Sequence, residues 1–165
     1  MKEDFEIDVE EAVRCYADMV YRLALLNTRS LQDAEDVFQD VFLKLLRYQK
    51  TIQSEEHLKA WLIRVTLNQC KSKAMAVWTR KTVPLESVAQ IVVGEEKDDF
   101  SDVYDAVKNL PQKYRQVIYL YYYEGYKIQE IAQLLQKNES TVKTWLSRGK
   151  QTLNNMLKGG FEDDR

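Results

Sequence analysis

The chain has 165 residues, 45% apolar, with only 5 Gly and 2 Pro, which suits one medium or two small globular domains, rich in helix. Cys15 and Cys70 lie far apart in no CxxC pattern and His57 is the lone histidine, so no donor set for a structural zinc is expected. The net charge of −2 hides an asymmetry: residues 102–158 carry 9 Lys+Arg against 5 Asp+Glu, net +4, in an otherwise acidic chain, which suits phosphate contact by one module and other partners for the rest.

The acidic start, MKEDFEIDVEE, is no signal peptide, and no apolar run approaches the roughly 18 residues of a membrane span. The expectation is a cytoplasmic protein with reduced thiols. Residues 8–28 keep a helical period through Val9, Ala12, Val13, Tyr16, Met19, Val20, Leu23 and Leu26. Asn27 and Thr28 end that helix, and Ser30 can cap the next.

Residues 31–49 place Ala34, Val37, Phe38, Val41, Phe42, Leu45 and Leu46 on one stripe, with Asp33, Glu35, Asp36, Gln39 and Asp40 on the other faces. Acids early, with Lys44 and Arg47 late, suit the helix dipole. The acidic face is either simply solvated or a docking face for a basic partner.

Residues 48–57 lose the period and read mostly as a loop, with Ser54-Glu55-Glu56 as a helix start. The helix body 58–78 buries Leu58, Trp61, Leu62 and Val65. Arg64, Asn68 and Lys71 share one face, with Lys73 off to its side, and no acid occurs from Lys59 to Trp78. Such a face is either solvated or follows a phosphate backbone, with Asn68 offering a donor and an acceptor to a base.

Residues 79–101 hold Pro84, Gly94 and the acidic run GEEKDD and read as a linker, in which VAQIVV forms a short helix or strand. A helix from about Asp102 ends near Asn109, because Pro111 disfavours a helical Leu110. Pro111 then opens the next helix at its first position. Val117, Ile118, Leu120, Tyr121 and the neighbouring tyrosines form an aromatic-rich core helix, closed by Gly125.

Residues 126–157 read as two helices joined by a tight turn. Ile128, Ile131, Ala132 and Leu135 make the first stripe, Ser140 is a candidate N-cap, and Val142, Leu146, Gly149, Leu153 and Met156 or Leu157 form the second buried face. Thr141, Lys143, Thr144, Ser147, Arg148 and Lys150 point outward, with no acid between Ser140 and Leu157. This is the layout of a DNA-reading helix-turn-helix, whose second helix reads bases from the major groove. The plain alternative is a helical hairpin with a solvated face. No phosphate-cradling glycine loop, metal cluster or nucleophile with a base is present, so neither an enzyme nor a cofactor is expected.

Three segments, DAEDVFQDVFLKL at 33–45, KAWLIRVTLNQCKS at 59–72 and the stretch from Asn109 to Leu153, in this order, resemble a bacterial sigma-70 family RNA polymerase sigma factor of the extracytoplasmic-function type. The resemblance covers almost the whole chain. It implies an all-α fold of two small helical domains joined by a flexible linker. Residues 1–78 would be sigma region 2, 79–101 the linker, 102–160 sigma region 4 and 161–165 an acidic tail. The small class is implied, without the N-terminal extension and middle domain of housekeeping relatives.

The implied function is transcription initiation: binding core RNA polymerase, directing it to −35/−10 promoters and promoting melting. By position, Asp33, Glu35, Asp36, Gln39 and Asp40 would dock on the clamp coiled coil of the largest polymerase subunit. The loop 48–57 would receive a flipped base, and Arg64, Asn68, Lys71 and Lys73 would hold the −10 strand. Lys127, Thr141, Lys143, Thr144, Ser147 and Arg148 would contact the −35 element. An anti-sigma factor is implied as a further partner, one that could hold the protein at the membrane, and no small-molecule substrate is. The chain departs from the family pattern at Gln136, where the family usually has Gly in the turn, at Trp145, where it often has a second basic residue, and at Lys143, which lacks the fork of an Arg. The alternative function is a stand-alone helix-turn-helix regulator that binds an operator as a dimer. A helical adaptor that binds no DNA is the remaining alternative.

Overall fold

The computed structural model describes residues 4–80 and 101–161, and the chain divides into two compact units, one on each side of residues 81–100. Of the linker assigned to 79–101, residues 79 and 80 belong to the helix that ends at Arg80 and Ser101 opens the next helix, while residues 81–100, with the VAQIVV element, and nearly all of the 161–165 tail lie outside the described residues. Every regular element among the described residues is helical.

The first unit is a three-helix bundle of α1 (Val9–Asn27), α2 (Leu31–Tyr48) and α3 (Glu55–Arg80), each packed on the other two. Asp8 caps α1, its carboxylate accepting from the N–H groups of Glu10 and Glu11. Ser30 caps α2 as the sequence suggests, its hydroxyl accepting from the Asp33 N–H at 3.0 Å. Val20, Leu23, Val37, Val41, Leu45 and Leu62 are buried in the bundle, so burying these apolar side chains holds the three helices together, at about 1.5–3 kcal/mol for each large one.

Two expectations shift here. Helix α2 runs to Tyr48, continues as a 3₁₀ turn over Gln49–Thr51, and α3 begins at Glu55, so the loop shrinks to a few residues. Ser54 starts α3, its hydroxyl accepting from the His57 N–H at 3.0 Å, while the Gln53 N–H donates to His57 Nδ1 at 3.1 Å and Ile52 is buried. The connection is therefore pinned at three successive residues. Leu46, assigned to the buried stripe, is 52% exposed, because the bundle needs only the Val37–Val41–Leu45 line from this end of α2.

The second unit comprises α4 (Ser101–Lys108), α5 (Gln112–Ile118), α6 (Ile128–Leu135) and α7 (Glu139–Phe161). Arg115 Nη1 donates to the Lys108 carbonyl at 3.0 Å and ties α5 to the end of α4. Pro111 sits at the N-cap rather than the first helical position, with φ −52° and ψ 145°. Its locked φ suits either place, and its extended ψ keeps it outside the helix. Helix α5 widens into a π turn over Tyr119–Tyr123, which splits the tyrosines. Tyr119 is fully buried, donates to Glu124 Oε1 at 2.8 Å and stacks on Tyr123 at 5.4 Å, whereas Tyr121 and Tyr122 face solvent. Tyr121 thus leaves the core to which its spacing assigned it. Gly125 ends the element at φ +71°, as its sequence position suggests.

Helices α6 and α7 form the helix-turn-helix. Ile131, Ala132 and Leu134 are buried on α6, so Leu134 takes a core place that the sequence gives only to Leu135. The turn is a Schellman closure: the Lys137 N–H donates to the Ala132 carbonyl at 2.9 Å and the Gln136 N–H to the Gln133 carbonyl at 3.3 Å. Gln136 is left-handed, φ 55° and ψ 48°. Helix α7 begins at Glu139, two residues earlier than Ser140 permits as a cap. Asn138 holds that position, its carbonyl accepting from the Val142 N–H at 3.1 Å, and asparagine is as good a cap as serine. Val142, Leu146 and Gly149 are buried and Leu153 and Leu157 half-buried, while Met156 is exposed, so Leu157 is the one that turns inward.

Candidate functional site

Three faces carry the predicted residues. On α2, Glu35 and Gln39 are exposed, while Asp33, Asp36 and Asp40 are half-buried. Spacing of four residues carries the Glu35–Gln39 line on to Leu43, 56% exposed, and a further step of three reaches Leu46. The acidic face therefore continues into an apolar ridge. Leu43 was missed because it stands off the bundle stripe, and an isolated leucine off-stripe carries no signal of its own.

On α3, Arg64, Asn68 and Lys71 are all exposed along one side, and among the described residues none of the three forms an ion pair. Lys73 does not join them. Its Nζ lies 3.4 Å from Asp36 Oδ2, with both side chains partly screened from water. Two residues assigned to different partners thus bind each other. The cause is geometric: α2 packs on α3, and Lys73 stands on the α2 side of its helix.

On the helix-turn-helix, Lys127, Lys143, Thr144, Ser147 and Arg148 are exposed and Thr141 half-buried. Lys127 is the N-cap of α6, and its backbone N–H donates to Glu130 Oε1 at 3.1 Å. This is the half of a capping box open to a lysine, which has no acceptor to offer in return. The Thr144 hydroxyl donates to the Ser140 carbonyl at 2.9 Å, so its proton is spent inside the helix. Its lone pairs and methyl remain available, which fits accepting from a base amine or packing on a thymine methyl. Arg148 and the lysines are left with no carboxylate partner among the described residues, so their charge is available to phosphate or guanine. Lys150 sits 5.8 Å over the Tyr122 ring; its hydrogen bond with that tyrosine raises the ammonium pKa.

Residues 12–78 match the model of Sigma-70 region 2, and residues 100–153 match that of Sigma-70, region 4. The chain belongs to the sigma-70 family. Among the relatives of this sigma factor, the RNA polymerase sigma factor SigV of Bacillus subtilis is 29% identical over 133 residues, 78% of each chain. The ECF RNA polymerase sigma factor SigM of Mycobacterium tuberculosis is 27% identical over 149 residues, 90% of this chain and 76% of that one. The family branch is accordingly the extracytoplasmic-function one.

Two solved structures share the fold. One is the sigma factor RpoE of Bartonella quintana in complex with the anti-sigma factor NepR, TM-score 0.74 at 20% identity, covering 92% of this chain and 97% of that one. The other is CnrH in complex with the cytosolic domain of CnrY, TM-score 0.65 at 18% identity, covering 92% and 88%.

Proposed function

We propose that this sigma factor docks on core RNA polymerase through α2, holds the −10 strand with α3 and reads the −35 element with α7. The observation that carries this is that one chain holds both family regions and presents faces of opposite charge on different helices. An acidic face with an apolar ridge lies on α2, and acid-free cationic faces lie on α3 and α7 of one chain. Glu35, Asp36, Gln39 and Asp40 meet a basic polymerase surface, the clamp coiled coil of the largest subunit, with Leu43 and Leu46 giving the contact its apolar part. Asp33 sits in the first turn of α2, at the edge of this face.

Arg64 and Lys71 neutralise phosphates while Asn68 and the short 49–54 connection receive an unstacked base. Capturing an extruded base offsets the few kcal/mol of unstacking, so strand capture drives melting without a nucleotide fuel. Lys73, held by Asp36, is at most a peripheral member of this set. Lys143, Thr144, Ser147 and Arg148 read the −35 element, and Lys127 and Thr141 meet the backbone beside it. An anti-sigma protein covers one or both modules, and the protein works in the cytoplasm, where the polymerase supplies all the catalysis. A stand-alone operator-binding dimer has no use for a region 2 module over 12–78.

The deciding experiment is transcription in vitro with purified core polymerase on fragmented genomic DNA of the source organism, with and without this chain. New discrete transcripts sharing a −35/−10 spacing are expected, and Asp40→Lys should remove them by removing core binding. Neither transcripts nor core binding would return the helix-turn-helix to a stand-alone role.

A further inference from the structure

Trp145 lies on α7 four residues after Thr141 and three before Arg148, so it shares the flank of α7 that those two occupy. It is half-buried and carries no charge, yet two cations from elsewhere in the unit converge on its ring. Lys113 Nζ, from the first turn of α5, lies 5.9 Å from the ring centroid. Lys137 Nζ, from the turn between α6 and α7, lies 6.0 Å from the same centroid. Lys113 also lies 5.2 Å over the Tyr114 ring. Both lysines are exposed, and among the described residues neither forms an ion pair. The two ammonium groups are therefore within about 12 Å of each other.

The indole face attracts each of these ammonium groups. Phosphates along one DNA strand rise about 3.4 Å per step, so two cations no more than about 12 Å apart span at most three or four steps of a single strand.

We propose that Trp145 is a positioning residue, whose ring holds Lys113 and Lys137 as paired contacts to the DNA backbone beside the reading helix. Beside Arg148, the further charge on this flank comes from α5 and the turn, and the tryptophan fixes where it stands. This rests on the reading of α7 as the −35-binding helix. The lysines add affinity without sequence information, since phosphate contacts position and base contacts specify.

The test uses holoenzyme assembled from core polymerase and the full chain, on a promoter recovered by the transcription experiment. Binding is measured across a salt series. Lys113→Ala and Lys137→Ala should each flatten the slope of log affinity against log salt by roughly 0.9, and weaken strong and weak promoters by the same factor. Trp145→Leu should flatten the slope by more than either lysine change alone, and Trp145→Phe, which keeps a ring, should restore most of it. Arg148→Ala should instead alter the ranking of −35 sequences.

A wild-type slope in Trp145→Leu, or lysine variants that re-rank promoters, would overturn the proposal while leaving −35 binding intact. Wild-type holoenzyme indifferent to the −35 sequence would overturn the function assigned to α7, and this proposal with it. If Trp145→Leu unfolds the unit, the two exposed lysine variants and Trp145→Phe still decide.

Discussion

Gln136 holds a left-handed backbone that closes the turn of the helix-turn-helix, and it is the one non-glycine residue with positive φ among those described. A side chain in that region costs about 1–2 kcal/mol. Glycine removes the cost but returns about 0.4–1 kcal/mol through a freer unfolded chain. Gln136→Gly should therefore stabilise this unit by on the order of 0.5–1 kcal/mol, seen as slower hydrogen exchange of the amides that close α6. Faster exchange would mean that the glutamine side chain contributes a contact worth more than its strain. Tyr16 offers a second test. Its hydroxyl donates to Glu55 Oε2 at 3.0 Å, joining α1 to the first residue of α3. Burial, then the Glu55 carboxylate, push its phenol up to about 12, above the ordinary value near 10. The folded state thus holds the proton more tightly, so this contribution is complete below about pH 10 and is lost as pH rises through about 12. Phenolate absorbance of wild type minus Tyr16→Phe should titrate near the upper value. A difference curve centred near 10 would remove the Tyr16–Glu55 bond from the account of what holds α1 on α3.

Helices α5 and α7 meet at Gly149. A Cβ built there would stand 3.1 Å from Ile118 Cγ1 and 3.2 Å from Tyr114 Cβ, tighter than carbon contacts allow without movement. Both neighbours are held by the core of the unit, so neither yields cheaply. Gly149→Leu should separate the two helices and cost about 1–3 kcal/mol, despite the helix propensity gained. Chemical denaturation followed by helical signal measures it, and an unchanged midpoint would show that α7 slides freely on α5. This contact shows what the sequence holds and what it withholds. The 3.6-residue period marks α1, α2 and α7 because each has a single buried stripe, and it places Gly149 on the inner face; on α3 it points to Trp61 and Val65, which are only half-buried, and passes over Ile63, Thr66 and Cys70, which are buried. It cannot mark where a stripe stops being needed, so Leu46 was counted inside and Leu134 outside. Caps behave in the same way. Ser30 and Ser54 cap the helices that their sequence positions suggest. Asn138 and Ser140 compete two residues apart, and only the closed turn decides between them. The two cationic faces are legible as runs free of acid and the α2 face as a cluster of acids, but the Lys73–Asp36 pair joins residues 37 apart, and no local period carries that.

At the scale of the molecule, the proposed function puts two small DNA-facing units on one chain, each expected to hold DNA weakly alone. Joined, the second contact forms at the effective concentration set by the residues between them, in the millimolar range for short flexible connections. The gain belongs to the tether and the promoter spacing, with no requirement for a contact between the units. Changes in one unit should then leave the energetics of the other untouched. Asn68→Ala should weaken open-complex formation with core binding intact, and Arg148→Ala should weaken −35 recognition. In the double variant the two losses should add to within about 0.5 kcal/mol, as they do for sites without shared partners. The measurement is open-complex affinity of four holoenzymes on one promoter, closed into a double-mutant cycle. Additivity assigns the cooperation of −10 and −35 contacts to the tether alone. A coupling of 1 kcal/mol or more would show that binding at one unit changes the state of the other. It would also require a physical connection between α3 and α7 through the polymerase or the bound DNA. Lengthening the promoter spacer separates the two accounts further: a tether loses affinity gradually with span, whereas a coupled pair loses the −10 and −35 contributions together.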